Sequence, residues 1–481
     1  MAEKKKKIFD VSLFTRLLQY IKPYRTVFVI SLFCVVGLAV FGALRPYILQ
    51  QAIDTQIAEK KYEGFVFYIL IMLALLTVEV ICQLLFIYYA SWLGQSVVRD
   101  IRVKLFRHML KFKMTYFDKS SVGVLITRAV TDMERIADIF GQGLFMIFSD
   151  ILKMTVVAGF MLGMNWKLSL IIFTTLPIIL FATKIFQKYM KIAFEDVRTE
   201  VSNLNSFVQE RVTGMKILQL FTRETEYKNF KAINERHKKG WLKTVWYNSI
   251  FFPIAEFVSS LTMGAVIWIG GLNAVVGQTA SIGDLIAFTM FIPMLFRPLY
   301  QIANKFNTLQ MGMVAADRVF KVLDTDSNID DIGTIEANHF KGNISFKDVR
   351  FSYVKDEEVL KGISFNVNAG ETVAIVGATG AGKSTIINLL NRFYEINSGT
   401  IEVDGTDIKE MKLNSLRSQI AVVLQDVFLF SDTIGNNIKF GLHDEDIEEQ
   451  ALINVTKLAH VYHNIVDFPD GFETILGERG V

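Results

Sequence analysis

Six apolar segments, each about as long as one bilayer crossing, constrain the fold of this chain more than any other feature. A hydrocarbon core about 30 Å thick is crossed by roughly 20 apolar residues in a helix. The 481 residues are 51% hydrophobic and 21% charged, which suits an apolar half joined to an ordinary one. We therefore predict six transmembrane helices. Their expected bounds are 26–47, 65–93, 143–164, 168–186, 251–272 and 282–302.

Lysine and arginine are concentrated on one side of these segments. The stretches before span one, between spans two and three, and between spans four and five are basic, whereas the other side carries Lys60, Lys61 and Lys167. Positive charge in short connections marks the cytoplasmic side. We predict a multi-pass protein of the cytoplasmic (inner) membrane with both termini in the cytoplasm.

Residues 1–25 are predicted to form a cytoplasmic amphipathic segment before the first span. Apolar side chains recur there at helical spacing, which favours a helix lying on the membrane surface. They are Phe9, Leu13, Phe14, Leu17 and Ile21.

The two long cytoplasmic segments, 94–142 and 187–250, are charged, favour helix and contain little glycine or proline. Unstructured connections of this length are uncommon, so we predict helices that continue out of the membrane and turn back. The tips of such extensions are expected to touch another domain. The predicted contact residues are Phe117 and Asp118 in the first segment and Phe221, Arg223 and Glu224 in the second.

A second domain is predicted from residue 340 to residue 481, after a transmembrane domain at 26–320 and an acidic, polar linker at 321–339. Its hydrophobic runs have strand length and alternate with turn signals. The predicted strands are 344–346, 363–367, 372–376, 401–403 and 420–424.

Residues 377–384 of this domain, Gly-Ala-Thr-Gly-Ala-Gly-Lys-Ser, satisfy the P-loop pattern G-x-x-x-x-G-K-[ST] in full. Glycines let backbone amides turn onto phosphate oxygens, and the helix that follows presents its positive end to the same anion. Lys383 suits the β- and γ-phosphates, and the Ser384 hydroxyl suits Mg²⁺. We predict ATP and Mg²⁺ as ligands. The predicted nucleotide contacts are Gly377, Ala378, Thr379, Gly380, Ala381, Gly382, Lys383, Ser384 and Thr385.

With Phe351-Ser352-Tyr353 upstream and Val423-Leu424-Gln425-Asp426 downstream, this P-loop region resembles the nucleotide-binding domain of ATP-binding cassette (ABC) transporters. Six spans with long cytoplasmic extensions, N-terminal to such a domain, resemble the exporter half-transporters of the bacterial multidrug and lipid-flippase type. The resemblance covers nearly the whole chain. The fold expected is thus an α-helical six-span domain followed by an α/β P-loop domain.

The resemblance implies further roles for individual residues. Tyr353 would stack on the adenine ring, and Gln425 would contact Mg²⁺ or the attacking water. Glu478 and Arg479, in the Gly477–Gly480 loop, would contact the cytoplasmic helical tips.

The family implies a signature motif, a Walker B aspartate, a catalytic glutamate and a switch histidine. None of these is found up to Val481. His443, His460 and His463 precede the expected signature and are not assigned the switch role. The nucleotide-binding domain is therefore expected to be incomplete and the sequence to be a fragment or a truncated record. Such a chain would bind nucleotide but not hydrolyse it, whereas the full-length form would be an ATPase-coupled transporter.

The resemblance also implies a dimer of half-transporters, identical or different, that exports or flips hydrophobic or amphipathic molecules such as drugs and lipids by alternating access. An ABC importer and an ATP-binding membrane regulator without transport are the alternatives. A net charge of +3 is too small to imply nucleic acid.

Ionisable residues within the spans are candidates for cargo contact, because a charge in hydrocarbon is costly and usually faces a cavity or a partner. The notable ones are Arg45, Glu79, Glu256 and Arg297, and the cargo candidates among them are Glu79, Glu256 and Arg297; an interhelical structural pair is the alternative. Phe288, Phe291 and Phe296 could line a hydrophobic cavity, although packing or lipid contact is the default for aromatic residues there.

Overall fold

The computed structural model describes residues 11–58, 64–221, 223–275, 280–329, 331–336, 339–425, 427–441 and 449–477. The chain forms two compact units, Met1–Ile329 and Asp330–Val481. The first unit is helical, and the second combines helices with a small sheet.

The helices of the first unit follow one another with short connections. Three shorter helical turns accompany them: Lys22–Tyr24 is 3-10, and Ile53–Ile57 and Ile139–Leu144 are π. The helices are α1 Val11–Gln19, α2 Arg25–Ala52, α3 Phe65–Met109, α4 Met114–Lys119, α5 Val122–Ala129, α6 Thr131–Asp138, α7 Phe145–Met164, α8 Trp166–Thr213, α9 Met215–Phe221, α10 Arg223–Val275 and α11 Ile282–Leu323.

Six helical stretches in the described part of the chain are long and apolar enough to cross a membrane, which confirms the predicted fold class. They are Lys22–Ile57, Phe65–Met109, Val122–Met164, Trp166–Thr213, Arg223–Val275 and Ile282–Leu299. The longest, α10, has 53 residues. At 1.5 Å per residue it extends about 80 Å, well beyond a hydrocarbon core of about 30 Å.

The extensions of α8 and α10 pack along each other. Phe186 stacks on Phe251 with ring centroids 4.0 Å apart, and a Cβ added to Gly240 would lie 3.2 Å from the Val197 side chain. Lys243 pairs with Asp196 at 3.0 Å on the outside of the hairpin. The extensions of α8 and α10 therefore form one antiparallel pair of long helices, as the helix-favouring composition of this segment predicts.

Helix α1 packs on protein. Its side chain Leu17 and the following Ile21 are buried in the core that α3 and α11 share. The Arg16 guanidinium makes two hydrogen bonds to the Asp324 carboxylate, at 2.6 and 2.7 Å, and lies 4.2 Å from the ring centre of Phe320. This hydrogen-bonded pair lowers the pKa of the Asp324 carboxyl below its ordinary value. The apolar face expected to rest on the membrane surface is thus largely occupied by other helices, because α11 offers both an apolar ridge and a carboxylate; Phe9 lies outside the described residues.

The segment after α11, Thr325–Ile329, is attached to the end of α3, and we call it the strap. Lys113 donates its amide to the Ser327 carbonyl at 2.7 Å, and Ile329 donates to the Lys111 carbonyl at 2.9 Å. His108 Nε2 lies 3.1 Å from the Thr325 carbonyl oxygen. In the first part of the predicted linker, 321–339, residues up to Leu323 therefore belong to α11. The strap that follows is hydrogen-bonded through its backbone to the residues after α3.

The second unit contains a four-stranded antiparallel sheet in the order β2-β1-β3-β4. Its core is formed by buried side chains of these strands and of the helix after the P-loop, among them Phe346, Val349, Ile401 and Leu389. The strands are β1 Ile344–Phe351, β2 Leu360–Val367, β3 Ser398–Val403 and β4 Thr406–Asp407; the helices are α12 Lys383–Leu390, α13 Leu413–Ser418, α14 Ile434–Lys439, α15 Glu449–Leu458 and α16 Tyr462–Val466.

Two predicted strands are wrong. Residues 372–376 and 420–424 form no ladder, and all their side chains except the half-buried Ile420 are exposed, Val376 to 87% and Val423 to 96%. An apolar run becomes a strand only when neighbouring backbone supplies hydrogen bonds and covers its faces. The described residues offer no such neighbour to either run.

We expect that Asp324→Asn will loosen α1, because it removes the charged acceptor of Arg16. Exposed ion pairs contribute about 0.2–1 kcal/mol, so hydrogen exchange of residues 11–19 should accelerate by up to about fivefold. Lys321→Ala is the matched control, since Lys321 lies on the same helix and pairs with Asp317 one turn away. Equal acceleration in both variants would show that the Arg16–Asp324 pair does not hold α1.

Candidate functional site

The backbone turn of the P-loop, residues 377–382, is exposed as far as Ala381, has Gly382 buried, and leads directly into α12. Gly380 has φ +86° and Gly382 has φ +87°, a left-handed conformation that glycine adopts without steric cost. A Cβ on Gly382 would also lie 2.8 Å from the Leu360 side chain. The sequence places glycine where the backbone must turn left-handed and approach β2 closely.

Lys383 lies at the centre of this loop. Its ammonium donates to the Gly377 and Ala378 carbonyls, each at 2.9 Å. A cation held between loop carbonyls can exchange these acceptors for phosphate oxygens without moving far. Ser384, in the first turn of α12, is exposed and open to a ligand.

This arrangement fits Mg²⁺ bound together with a nucleotide. Within the described residues no three His, Cys, Asp or Glu side chains form a metal cluster. A P-loop site needs none, because one hydroxyl, phosphate oxygens and water satisfy the octahedral preference of Mg²⁺. Ser384 is the exposed hydroxyl next to the loop that would serve as this ligand.

Tyr353, the predicted adenine platform, is connected to the P-loop helix. Its hydroxyl lies 3.2 Å from the Thr385 Oγ1, and its ring makes edge contacts with Phe351 at 4.8 Å and Tyr394 at 5.0 Å. The ring is 39% exposed, so part of its surface is free for stacking. Thr385 itself is buried, and its hydroxyl faces Tyr353 rather than solvent. Tyr394 was not predicted from the sequence to belong to this site. The signal that could have indicated it is that an aromatic residue follows the P-loop helix closely.

Gln425 lies in a bend after the run 420–424 and is itself exposed. Among the described residues it makes no hydrogen bond, so its predicted metal role stays a prediction. Asp426, Glu478 and Arg479 lie outside the described residues.

The predicted coupling residues lie where the extensions reverse direction: Phe117 and Asp118 on the short helix α4, Phe221 at the end of α9, and Arg223 and Glu224 at the start of α10. Phe117 is half-buried and packs near Phe112 and Tyr116, with ring centroids 6.4 and 5.9 Å away. Phe221 is 77% exposed at the end of α9. Asp118, Arg223 and Glu224 are exposed as well. The tip of α9 therefore presents an uncovered aromatic side chain, and the tip of α4 does not.

The three cargo candidates differ in their surroundings. Glu79 on α3 approaches Arg45 on α2 to 2.9 Å, and both side chains are largely buried. The Arg45 Nε–H does not point at the carboxylate oxygen, so this contact is an ion pair without a hydrogen bond. Glu256 and Arg297 are exposed and have no ion pair within the described residues. Glu79 thus takes part in an interhelical ion pair, which was the alternative to cargo contact. Phe288, Phe291 and Phe296 are fully buried by packing.

Two family profiles match this chain. The profile of the ABC transporter transmembrane region matches residues 28–299, and that of the ABC transporter nucleotide domain, described as "ABC transporter", matches residues 360–471. This chain belongs to the ABC transporter family.

Individual ABC transporters are similar over almost the whole chain. An uncharacterized ABC transporter ATP-binding protein of Bacillus subtilis, YknV, is 33% identical over 98% of this chain and 79% of its own length. An ATP-dependent lipid A-core flippase of Thiobacillus denitrificans is 30% identical over 98% of this chain and 81% of its own. A putative multidrug export ATP-binding/permease protein of Bacillus subtilis, YgaD, is 33% identical over 97% and 81%. The resemblance read from the sequence is confirmed.

We expect Tyr353→Leu to weaken ATP binding and to leave the binding of inorganic triphosphate unchanged. The loss of a base-stacking platform is worth about 1–3 kcal/mol, or about 5- to 150-fold in affinity. Tyr353→Phe keeps the ring and loses the contact with Thr385, so it should bind ATP nearly as tightly as the natural sequence. Equal weakening for ATP and triphosphate would mean that Tyr353 only supports the loop.

We expect the Arg45–Glu79 pair to act as a unit. Glu79→Met and Arg45→Met should each lower the melting temperature, because each leaves one charge without its partner among apolar helices. The double variant should be more stable than either single one. Additive losses in a thermal-unfolding cycle would argue against a coupled pair.

Proposed function

We propose that this chain is one half of an ATP-driven exporter that moves hydrophobic or amphipathic molecules across the cytoplasmic membrane. The observation that carries the proposal is the P-loop, with its left-handed glycines and centred Lys383, on a chain that also has six membrane-spanning helices. The names of the relatives point to lipids and drugs as the classes of cargo.

In this proposal, ATP acts as a ligand that favours one of two conformations of the dimer. The loop amides of residues 377–382 and the Lys383 ammonium bind the phosphates, and Ser384 orients the metal. Mg²⁺, when bound, neutralises charge on the phosphates. Tyr353 holds the adenine, so that the nucleotide is fixed at both ends.

The tips of the extensions are proposed to carry this change to the spans. Apolar side chains are dense and uncovered at the α9 tip: Ile217 is 68% exposed, Leu220 75% and Phe221 77%. Exposed apolar clusters of this kind are typical of interaction surfaces. We propose that the α9 tip contacts a nucleotide-binding domain and that the dimer partner is a second half-transporter, identical or different.

Orientation and location in the membrane are also part of the proposal. The stretches before span one, between spans two and three, and between spans four and five are basic, which supports cytoplasmic termini in an inner membrane. This places the P-loop domain on the side of the membrane where ATP is available.

The chain spans about four fifths of the length of its relatives. The part of the nucleotide site that the described residues form is the phosphate loop, so the property to test on this chain is the binding of Mg·ATP.

We expect Lys383→Ala to lower the affinity of the purified protein for Mg·ATP. Hydrogen bonds to charged groups contribute about 1.5–3 kcal/mol, which corresponds to about a 10- to 150-fold loss. Lys361→Ala, on the exposed side of β2, is the matched control and should bind like the natural sequence. Binding should be measured by titration with a fluorescent ATP analogue.

If the natural chain did not bind Mg·ATP, or if Lys383→Ala bound it unchanged, the proposal would fail. Vesicle assays with drug and lipid cargo, carried out on a form shown to hydrolyse ATP, then separate the roles. ATP-dependent outward movement supports export, inward movement indicates an importer, and ATP binding without movement indicates a regulator.

A further inference from the structure

Two aromatic side chains meet where the first span begins and the second span ends. Tyr24 closes the 3-10 turn between α1 and α2, and Trp92 lies on α3, one residue before the end expected for the second span. Their rings contact edge to face with centroids 5.6 Å apart, and Trp92 stays exposed. Such rings are enriched where hydrocarbon meets the headgroups of a bilayer. The pair therefore marks the depth of one membrane interface.

Arg99 is held beside these rings by hydrogen bonds. Its Nε and Nη2 donate to one oxygen of Asp100 at 3.1 and 2.9 Å, and Nη2 also donates to the Tyr24 hydroxyl at 2.9 Å. The Tyr24 hydroxyl donates in turn to the other Asp100 oxygen at 2.7 Å. The Arg99 side chain is nevertheless 69% exposed, and its Nη1 has no hydrogen-bond partner among the described residues. A guanidinium that is fixed on one edge and open on the other suits a phosphate group.

Two more cations lie within two residues of Tyr24. Lys22 and Arg25 are both exposed, and neither forms an ion pair with another residue that the structure describes. Arg25 is also the first residue of α2, whose N-cap makes no side-chain cap hydrogen bond and whose first turn has no acidic residue. The positive end of this helix adds to the side-chain charges. The one carboxylate of the group, Asp100, is already engaged by Arg99 and Tyr24.

Exposed apolar side chains continue from these cations into the spans. On α2, Val29 and Phe33 follow Arg25 at intervals of four residues, and Phe33 is 80% exposed. On α3, Tyr88 is 60% exposed and lies about three turns before Arg99 on the same face. Each cation is therefore followed, along its own helix, by an apolar stripe of the kind that contacts a membrane.

The two stripes border one groove, because α2 and α3 are neighbours. A Cβ added to Gly37 of α2 would lie 3.3 Å from the Cys82 sulfur of α3. Phe28 of α2 and Phe86 of α3 both contact Phe145 of α7, with ring centroids 5.5 and 6.3 Å away. The rest of the bundle lies on that side of the pair. The exposed stripes lie on the outer side, with the cations at one end.

We propose that this groove binds one anionic phospholipid, with its phosphate at Arg25 and Arg99 and an acyl chain along the two stripes. The phosphate accepts hydrogen bonds from the open Nη1 of Arg99, and Lys22 and Arg25 supply further positive charge. Such a lipid joins the turn between α1 and α2 to α3, so it is a structural ligand of the bundle and not its cargo. This site needs neither nucleotide nor export, and it therefore goes beyond the proposed function.

The experiment is native mass spectrometry of the purified chain, freed of lipid in an uncharged detergent and titrated with phosphatidylglycerol. Phosphatidylcholine with the same acyl chains is the lipid without net charge, and glycerol phosphate supplies the charged group without a chain. We expect the first phosphatidylglycerol to bind at least about tenfold more tightly than the first phosphatidylcholine, since each cation near a headgroup contributes about fivefold. Glycerol phosphate at the same concentration should not displace the lipid.

Neutral variants of the cations test the position of the site. Arg25→Gln and Arg99→Gln should each weaken the first binding of phosphatidylglycerol by about fivefold. Arg25 is exposed and outside the Tyr24–Asp100–Arg99 contact, so Arg25→Gln tests the site without disturbing the fold. Arg107→Gln is the matched control, because Arg107 is also exposed and lies about two turns beyond Arg99 on α3. It should bind the lipid like the natural sequence.

Four results would overturn the inference. They are unchanged binding in both Arg25→Gln and Arg99→Gln, equal weakening in Arg107→Gln, equal affinity for phosphatidylcholine, and full displacement by glycerol phosphate. Equal affinity for phosphatidylcholine would indicate that the rings bind the choline group, and full displacement would indicate a site for free phosphate. Binding to the monomer but not to the dimer would show that a second copy covers the groove, and the inference would fail there too.

Discussion

The structure depends on the requirement that backbone amides and carbonyls within a bilayer find partners inside their own segment. Helix satisfies this requirement without help from neighbouring elements, so each crossing is a helix. Once a helix has formed, it continues for as long as its sequence allows. Helices α3, α8 and α10, with 45, 48 and 53 residues, therefore leave the membrane as rods and end in the short helices α4 and α9. The length that satisfies the membrane also gives the chain its reach beyond the membrane.

Features that depend on local chemistry were predictable from the sequence. The six spans follow from apolar length, and the P-loop follows from glycines that the backbone requires at Gly380 and Gly382. Features that depend on distant partners were not. The runs 372–376 and 420–424 have strand composition, but composition cannot supply a neighbouring backbone. Helix α1 shows the same limit, since its amphipathic pattern cannot distinguish a membrane surface from the protein ridge that holds Leu17.

Charges inside the bundle are used mainly to join helices. Arg45 pairs with Glu79 across α2 and α3, and Lys305 pairs with Asp150 at 2.5 Å across α11 and α7. A charge that is already paired is costly to recruit for a ligand, because its partner would be left alone. Selection of cargo by such a bundle would then rest more on shape and on neutral hydrogen-bonding groups.

The strap has a consequence for how such proteins can be recombined. Because Lys111 and Lys113 share backbone hydrogen bonds with Ser327 and Ile329, residues up to Ile329 belong mechanically to the helical unit. A hybrid protein could take its nucleotide-binding domain from a relative. If the two sequences were joined at Leu323, the strap would also come from the relative, and foreign residues would have to form these backbone hydrogen bonds. A splice just after Ile329 would leave it native. The natural boundary between the two units of this transporter therefore lies several residues beyond the end of α11.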